Sequence, residues 1–269
     1  MPGAALDPPT HLVAGVGGPR LEQLITGSGA PVTVFAHGFG GDIAGTRPLG
    51  GGVAGRRVFF HFRGHGRSEA PPGPWTFADL AGDLRTVADL AGATRALGVS
   101  MGAGALSRLL AETPDRFERI VLYLPAPLDG VRSPAAVERA ERLLAAAASG
   151  DPATITGAVA AELPGSVRDT PDGRGYPRRR ADRLRRDGLA PQLATLWRAP
   201  AVTDESALEA FRGHALVLGC VGDEAHPAGW ARRLADLLPD AELHVYDDPA
   251  VLWRHRRDLR ERISGFLNA

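Results

Sequence analysis

Six short apolar runs, PVTVFAH, RRVFFHF, TRALGVS, RIVLYLP, HALVLGC and ELHVYDD, alternate with stretches of helical period, and that alternation restricts the fold more than any other feature. Each run has strand length, and most end in Gly, Pro or Asp turn signals. Between them, TFADLAGDLRTVADLAG opens on a Thr76/Asp79 capping pair, MGAGALSRLLAETPDRF ends near Pro114, and PAGWARRLADLLPD starts at Pro227. Strands separated by helices lie parallel when the helices cover both faces of the sheet, so the expected class is α/β with a mostly parallel sheet. Functional groups in such sheets collect at the carboxyl ends of the strands. The alternation stops after LYLPAPLDG and resumes at GHALVLG. Residues 130–212 therefore read as a mostly helical cap, a lid over strand ends, inserted into a core formed by 1–129 and 213–269.

A chain of 269 residues with 44% hydrophobic content can bury one large core. All 31 basic residues are arginine and 31 acidic residues balance them, so no overall field draws the chain to nucleic acid or a membrane. The absence of lysine excludes Schiff-base chemistry, lysine-anchored pyridoxal phosphate and a Walker-type phosphate lysine. Cys220 is the only cysteine, which rules out an internal disulfide and a cysteine zinc cluster. The N-terminus has neither a basic start nor a long apolar run, so the expected setting is cytoplasmic.

Gly98-Val99-Ser100-Met101-Gly102 is a G-x-S-x-G between the strand TRAL and the helix GALSRLLAE. Nine serines and this glycine content give about a one in seven chance of a stray match, so the placement, rather than the motif, carries the weight. A serine on so sharp a turn has room only for glycine two residues to either side, and it presents its hydroxyl above the sheet. The bland reading is an ordinary glycine turn. HGFGGD, His37 to Asp42, ends an earlier strand. Acyl transfer needs two N–H donors at the developing oxyanion, one after the nucleophile and one from such a loop, and Met101 and Phe39 fit. His37 and Gly38 are expected to border the substrate.

With HGFGG, RGHGRS, GVSMGAG, GDEAHP and the closing ISGFL in this order, the chain resembles the alpha/beta-hydrolase superfamily from roughly Leu21 to Leu267. The resemblance implies a helical cap after the sixth strand, a Ser-Asp-His triad in that chain order, and hydrolysis of esters, lactones, amides or carbon-carbon bonds. It places the acid at Asp223, after the penultimate strand, with Asp129 a weaker substitute; the bland reading of Asp223 is a loop residue capping the helix at Pro227. Counting back from Phe266 to the slot where the family carries its base lands on Pro249, Ala250 and Val251, none of which accepts a proton. His255 is the nearest histidine, one helical turn beyond Val251 and on the flank of the stripe Leu252, Leu259, Ile263 and Phe266. The expected base is therefore His255. His226, three residues past Asp223, reads as a helix-start or surface histidine, and His244 lies inside the last strand. His61 stands where the family commonly has Asp, implying a different local hydrogen bond.

Within the cap, GRGYPRRRADRLRRDG carries seven arginines with one aromatic residue, Tyr176. That composition reads as a solvated face; the sharper alternative is contact with a carboxylate or phosphate on the substrate. Trp197 and LLAAAA are expected to form the underside of the cap and to border an apolar pocket. The combined expectation is a serine hydrolase for a small molecule with a hydrophobic acyl part: Ser100 the nucleophile, His255 the base, Asp223 the acid, with no metal and no cofactor. Two rivals keep the fold: lyase, cyclase or isomerase chemistry, motivated by the empty base slot, and a non-catalytic ligand-binding role. A homodimer stays open.

Overall fold

The computed structural model describes residues 9–130, 132–187 and 191–269. Eight strands, β1 (His11–Val13), β2 (Leu21–Thr26), β3 (Val32–Ala36), β4 (Arg56–Phe60), β5 (Arg95–Val99), β6 (Arg119–Tyr123), β7 (His214–Cys220) and β8 (Ala241–Tyr246), form one sheet in the order β1-β2-β4-β3-β5-β6-β7-β8. The first two pair antiparallel, and β4 through β8 run parallel. This is the expected α/β class, with two strands at one edge that the apolar runs do not announce.

The helices are α1 (Ile43–Thr46), α2 (Phe77–Ala91), α3 (Met101–Glu112), α4 (Pro134–Ser149), α5 (Pro152–Ala161), α6 (Gly165–Arg168), α7 (Pro171–Asp187), α8 (Ala228–Leu237), α9 (Val251–Arg254) and α10 (Arg256–Asn268). Side chains alternate across the sheet with period two. Val34, Ala36, Val58 and Phe60 face a cluster completed by Leu80 and Leu84 of α2, Leu106 and Leu110 of α3 and Leu234 of α8. Phe35, Phe59, Leu97 and Val121 face the opposite cluster, with Leu259, Ile263 and Phe266 of α10. Each fully buried Leu or Phe contributes about 1.5–3 kcal/mol, so two filled faces hold the central strands without any need for alternating polar residues.

The caps follow local chemistry. Thr76 accepts the Asp79 N–H while the Asp79 carboxylate accepts the Thr76 N–H, and Gly92 closes α2 in the left-handed region at φ 66°. Between β6 and β7 the chain forms α4 to α7 and two 3-10 turns, Pro191–Trp197 and Glu205–Ala210. Leu143, Ala146, Ile155, Val159, Ala181 and Leu184 give this inserted segment a small core of its own, against which Phe39 of the β3–α1 loop packs.

Candidate active site

Ser100 sits between β5 and α3 with φ 51° and ψ −109°, a backbone state that a non-glycine residue holds only when its surroundings impose it. They do so by crowding. A Cβ on Gly98 would stand 2.5 Å from the Gly102 oxygen, and one on Gly102 would stand 2.4 Å from the Ala36 oxygen, so only glycine lets strand, turn and helix approach this closely. The Ser100 N–H donates to Tyr123 O at 3.0 Å and its own carbonyl accepts the Gly104 N–H at 2.9 Å. Serine at a helix start commonly caps it; this hydroxyl makes no cap bond and is left for another partner.

That partner is His226. The Ser100 hydroxyl lies 2.7 Å from His226 Nε2, and His226 Nδ1 lies 2.9 Å from Asp223 Oδ2. A hydroxyl donating to Nε2 leaves Nδ1 as the protonated nitrogen, donating to the carboxylate. The other carboxylate oxygen, Oδ1, accepts the backbone N–H groups of Ala225 at 2.8 Å and His226 at 3.1 Å. Burial pushes the Asp223 carboxyl up, but bonds from the His226 ring and the two N–H groups outweigh it and hold the group below the ordinary aspartate value. Gly222, at φ 79°, turns the chain out of β7, and Pro227 starts α8 directly after His226. Carboxylate and imidazole thus come from one turn, Gly222-Asp223-Glu224-Ala225-His226.

His255 does not reach this cluster, and the expectation that it is the base is corrected. It sits in the break between α9 and α10, with Nε2 3.8 Å from Asp247 Oδ1 and its ring 5.2 Å from that of Tyr246. The slot itself is walled with apolar groups. Pro249 Cδ lies 3.5 Å from where a Cβ on Gly222 would be, and Ala250 and Val251 are buried. Asp129 is equally removed as an alternative acid: it lines a cleft of about 510 Å³ with Val202, Asp204, Glu205 and Arg233, 3.9 Å from the Arg233 guanidinium. None of the residues lining this cleft belongs to the Ser100 cluster.

Three histidines fasten the loop that carries Phe39. His37 Nδ1 donates to Gly38 O at 2.7 Å while its Nε2 accepts the Phe62 N–H at 3.1 Å. His65 Nε2 accepts the Gly40 N–H at 3.3 Å and Nδ1 donates to Arg63 O at 3.1 Å; His61 Nε2 accepts the Ile43 N–H at 3.0 Å and Nδ1 donates to Glu22 at 2.9 Å. Each ring therefore serves as acceptor on one side and donor on the other, which is the work of a neutral imidazole and leaves no lone pair for a metal. Burial drives His37 well below the ordinary histidine value and His65 down to about 4. His37 is 1% exposed with both nitrogens used, so it holds the loop and is not a substrate contact as expected. Gly38 does lie against Ser100: a Cβ there would meet Ser100 Cβ at 3.4 Å. His61, in the place of the family's usual Asp, ties α1 to Glu22 of β2.

The segment inserted between β6 and β7 packs on the same loop. Trp197 packs edge-on against Phe39, with ring centroids 4.7 Å apart. Of the arginines of α7, Arg174, Arg178, Arg179, Arg185 and Arg186 are exposed, as a solvated face requires. Arg180 and Arg183 turn inward, Arg180 to Glu162 at 2.8 Å and Arg183 to Asp42. Their charges are spent on carboxylates of the protein itself.

A serine on a tight strand-to-helix turn, beneath a glycine loop and at the carboxyl ends of a mostly parallel sheet, defines a class of fold. The family model for the alpha/beta hydrolase fold matches residues 31–250, and the chain belongs to that family. A carboxylesterase from Bacillus subtilis superposes with a TM-score of 0.78 at 18% identity, covering 98% of this chain and 92% of that one. An enol-lactonase from Burkholderia xenovorans gives 0.77 at 21% identity, with 96% and 100% covered. In sequence, the dihydrolipoyllysine-residue acetyltransferase component of the acetoin cleaving system of Cupriavidus necator is 33% identical over 118 residues. That stretch is 42% of this chain and 31% of the relative's length. Among the described residues no helix is long and apolar enough to cross a membrane.

Proposed function

We propose that the protein is a serine hydrolase that forms an acyl-enzyme on Ser100 from an ester, lactone or thioester with a hydrophobic acyl part. The observation that supports this best is the unbroken line from the Ser100 hydroxyl through the His226 ring to Asp223. In this reading His226 Nε2 takes the hydroxyl proton as Oγ attacks the carbonyl carbon, and Asp223 holds the tautomer and stabilises the imidazolium. The N–H groups of Met101, at the amino end of α3, and of Phe39 receive the oxyanion, where one such donor is worth about 10²–10³ in rate. His226 then gives its proton to the leaving group, and water releases the acyl group by the same route reversed. Lyase, cyclase or isomerase chemistry was motivated by an empty base slot, and a histidine on Ser100 removes that ground.

A fluorophosphonate probe and a panel of 4-nitrophenyl esters test the assignment. The expected outcome is labelling of Ser100 in the wild type and loss of labelling in Ser100→Ala. His226→Ala should lower kcat by about 10⁶, whereas His255→Ala should stay within about twofold. Folded wild type that is neither labelled nor active would refute the proposal, and the reverse ranking of the two histidine variants would refute the choice of base.

A further inference from the structure

Arg132 follows β6, on the side of the sheet where Ser100 and His226 lie, and its charge is unaccounted for. Its Cζ stands 4.8 Å from the centroid of the Trp197 ring, and Trp197 in turn rests on Phe39, whose N–H is a proposed oxyanion donor. Both Nε and Nη1 are buried, and neither has a hydrogen-bond partner among the described residues. Other inward-facing arginines are treated differently: Arg63 meets Asp79 and Asp83, Arg180 meets Glu162, and Arg183 meets Asp42. Carboxylates near in sequence are engaged elsewhere, Asp129 toward Arg233 and Glu141 with Arg198. Burial alone pulls the guanidinium down to about 10 from its usual value, with no carboxylate to oppose it. Trp197 Nε1 is a second buried donor with no partner in the same stack.

A buried cation that the protein leaves uncompensated costs stability, and that cost persists where a ligand supplies the missing charge. A guanidinium presents a planar fork that matches a carboxylate, and a single unit charge balances a carboxylate better than a phosphate dianion. We propose that Arg132 is a specificity residue that anchors a free carboxylate on the substrate, so that the preferred substrates are half-esters or carboxylated lactones. This deepens the serine-hydrolase reading and rests on it for the reacting bond only. The stacked Trp197 ring fixes the plane of the fork beside the oxyanion loop, which orients the scissile carbonyl once the carboxylate is seated.

Two measurements on the full chain separate this proposal from the hydrolase reading. In the first, mono-4-nitrophenyl esters of succinate, glutarate and adipate are compared with neutral 4-nitrophenyl esters of matched length. Wild type should favour at least one half-ester by 10-fold or more in kcat/KM. Arg132→Met should lose that preference through KM while hydrolysing the neutral esters within about threefold, and Arg132→Lys should recover part of it. In the second, calorimetry with succinate, glutarate and adipate should show binding to wild type and Ser100→Ala but not to Arg132→Met. Equal use of charged and neutral esters, or a loss in Arg132→Met that is the same for both, would overturn the anchor and leave the hydrolase standing. Diacid binding that needs Arg132, in a protein that turns over no ester, would do the reverse.

Discussion

Residues that carry a charge or a proton in this molecule are distinguished by what each is bonded to. Ser100 and Asp223, which the structure joins through one histidine, stood out in the sequence because each is tied to a local backbone pattern, a glycine-flanked turn and a strand end. The partner of Ser100 was legible only in part. His226 was in view three residues after Asp223, but a count from the C-terminus pointed to His255, and a histidine just before a helix-starting proline resembles a surface residue. The missed signal is the turn itself. An Asp whose side chain accepts N–H groups two and three residues on folds the chain back over its carboxylate, which brings the ring at the third position to the other oxygen. His65 offers a separate test at this scale. Its folded pKa is depressed to about 4 from 6.5 because burial penalises the cation, although its bond to Arg63 O opposes the shift. The unfolded chain therefore binds the proton more readily, and stability is full above about pH 6.5 and falls as pH drops toward 4, by about 3 kcal/mol for this group. Urea unfolding at pH 7 and pH 5 should show the loss, and His65→Gln, which keeps an acceptor for the Gly40 N–H but takes no proton, should reduce it to the share that the buried His37 contributes. An unchanged slope in that variant would remove His65 as the cause.

At the scale of elements, the strands found from sequence were the central ones with buried apolar runs and the edge strand β8, which is mostly not buried. β2 escaped because LEQLIT carries Glu22 and Gln23 in positions that are 6% and 5% exposed, where apolar residues are the usual signal. All but one of those polar groups are satisfied: the Glu22 carboxylate takes His61 and Arg67, its N–H donates to Ser68, and Gln23 Nε2 meets His11 at 2.8 Å, while Gln23 Oε1 has no partner among the described residues. A three-residue β1 is too short to announce itself. The segment after β4 is held to α2 in the same polar manner, with Arg63 donating to Asp83 at 2.7 Å and to Asp79 at 2.9 Å. Asp83 is 1% exposed, and burial raises its carboxyl against the pull of Arg63. Arg63→Ala would strand that carboxylate and should cost about 3–5 kcal/mol, whereas Arg20→Ala, which breaks an exposed pair with Glu69, should cost under about 1 kcal/mol. Thermal unfolding of the two variants side by side measures the difference, and equal effects would mean that Asp83 finds another donor.

For the whole molecule, the alternation of strand and helix pointed to the α/β class and to the side of the sheet on which the site would lie, since in such sheets ligands bind in the crevice outside the carboxyl ends of the strands. Three-dimensional packing decided what sequence did not: that two arginines of α7 turn inward to carboxylates, and that the histidine bonded to Ser100 is His226. The turn that joins Asp223 to His226 has one more consequence. By residue 226 the chain has encoded every group the proposed reaction uses, so β8 and α10 contribute packing to the core and no reacting group. A fragment ending at Asp240 should be nearly inactive for want of packing, and a separate peptide of residues 241–269 should restore ester turnover by docking, even when that peptide carries His255→Ala. Recovery that depended on His255 would contradict this division. If it holds, the gene has a natural splitting point for a two-part reporter, downstream of its last chemical instruction.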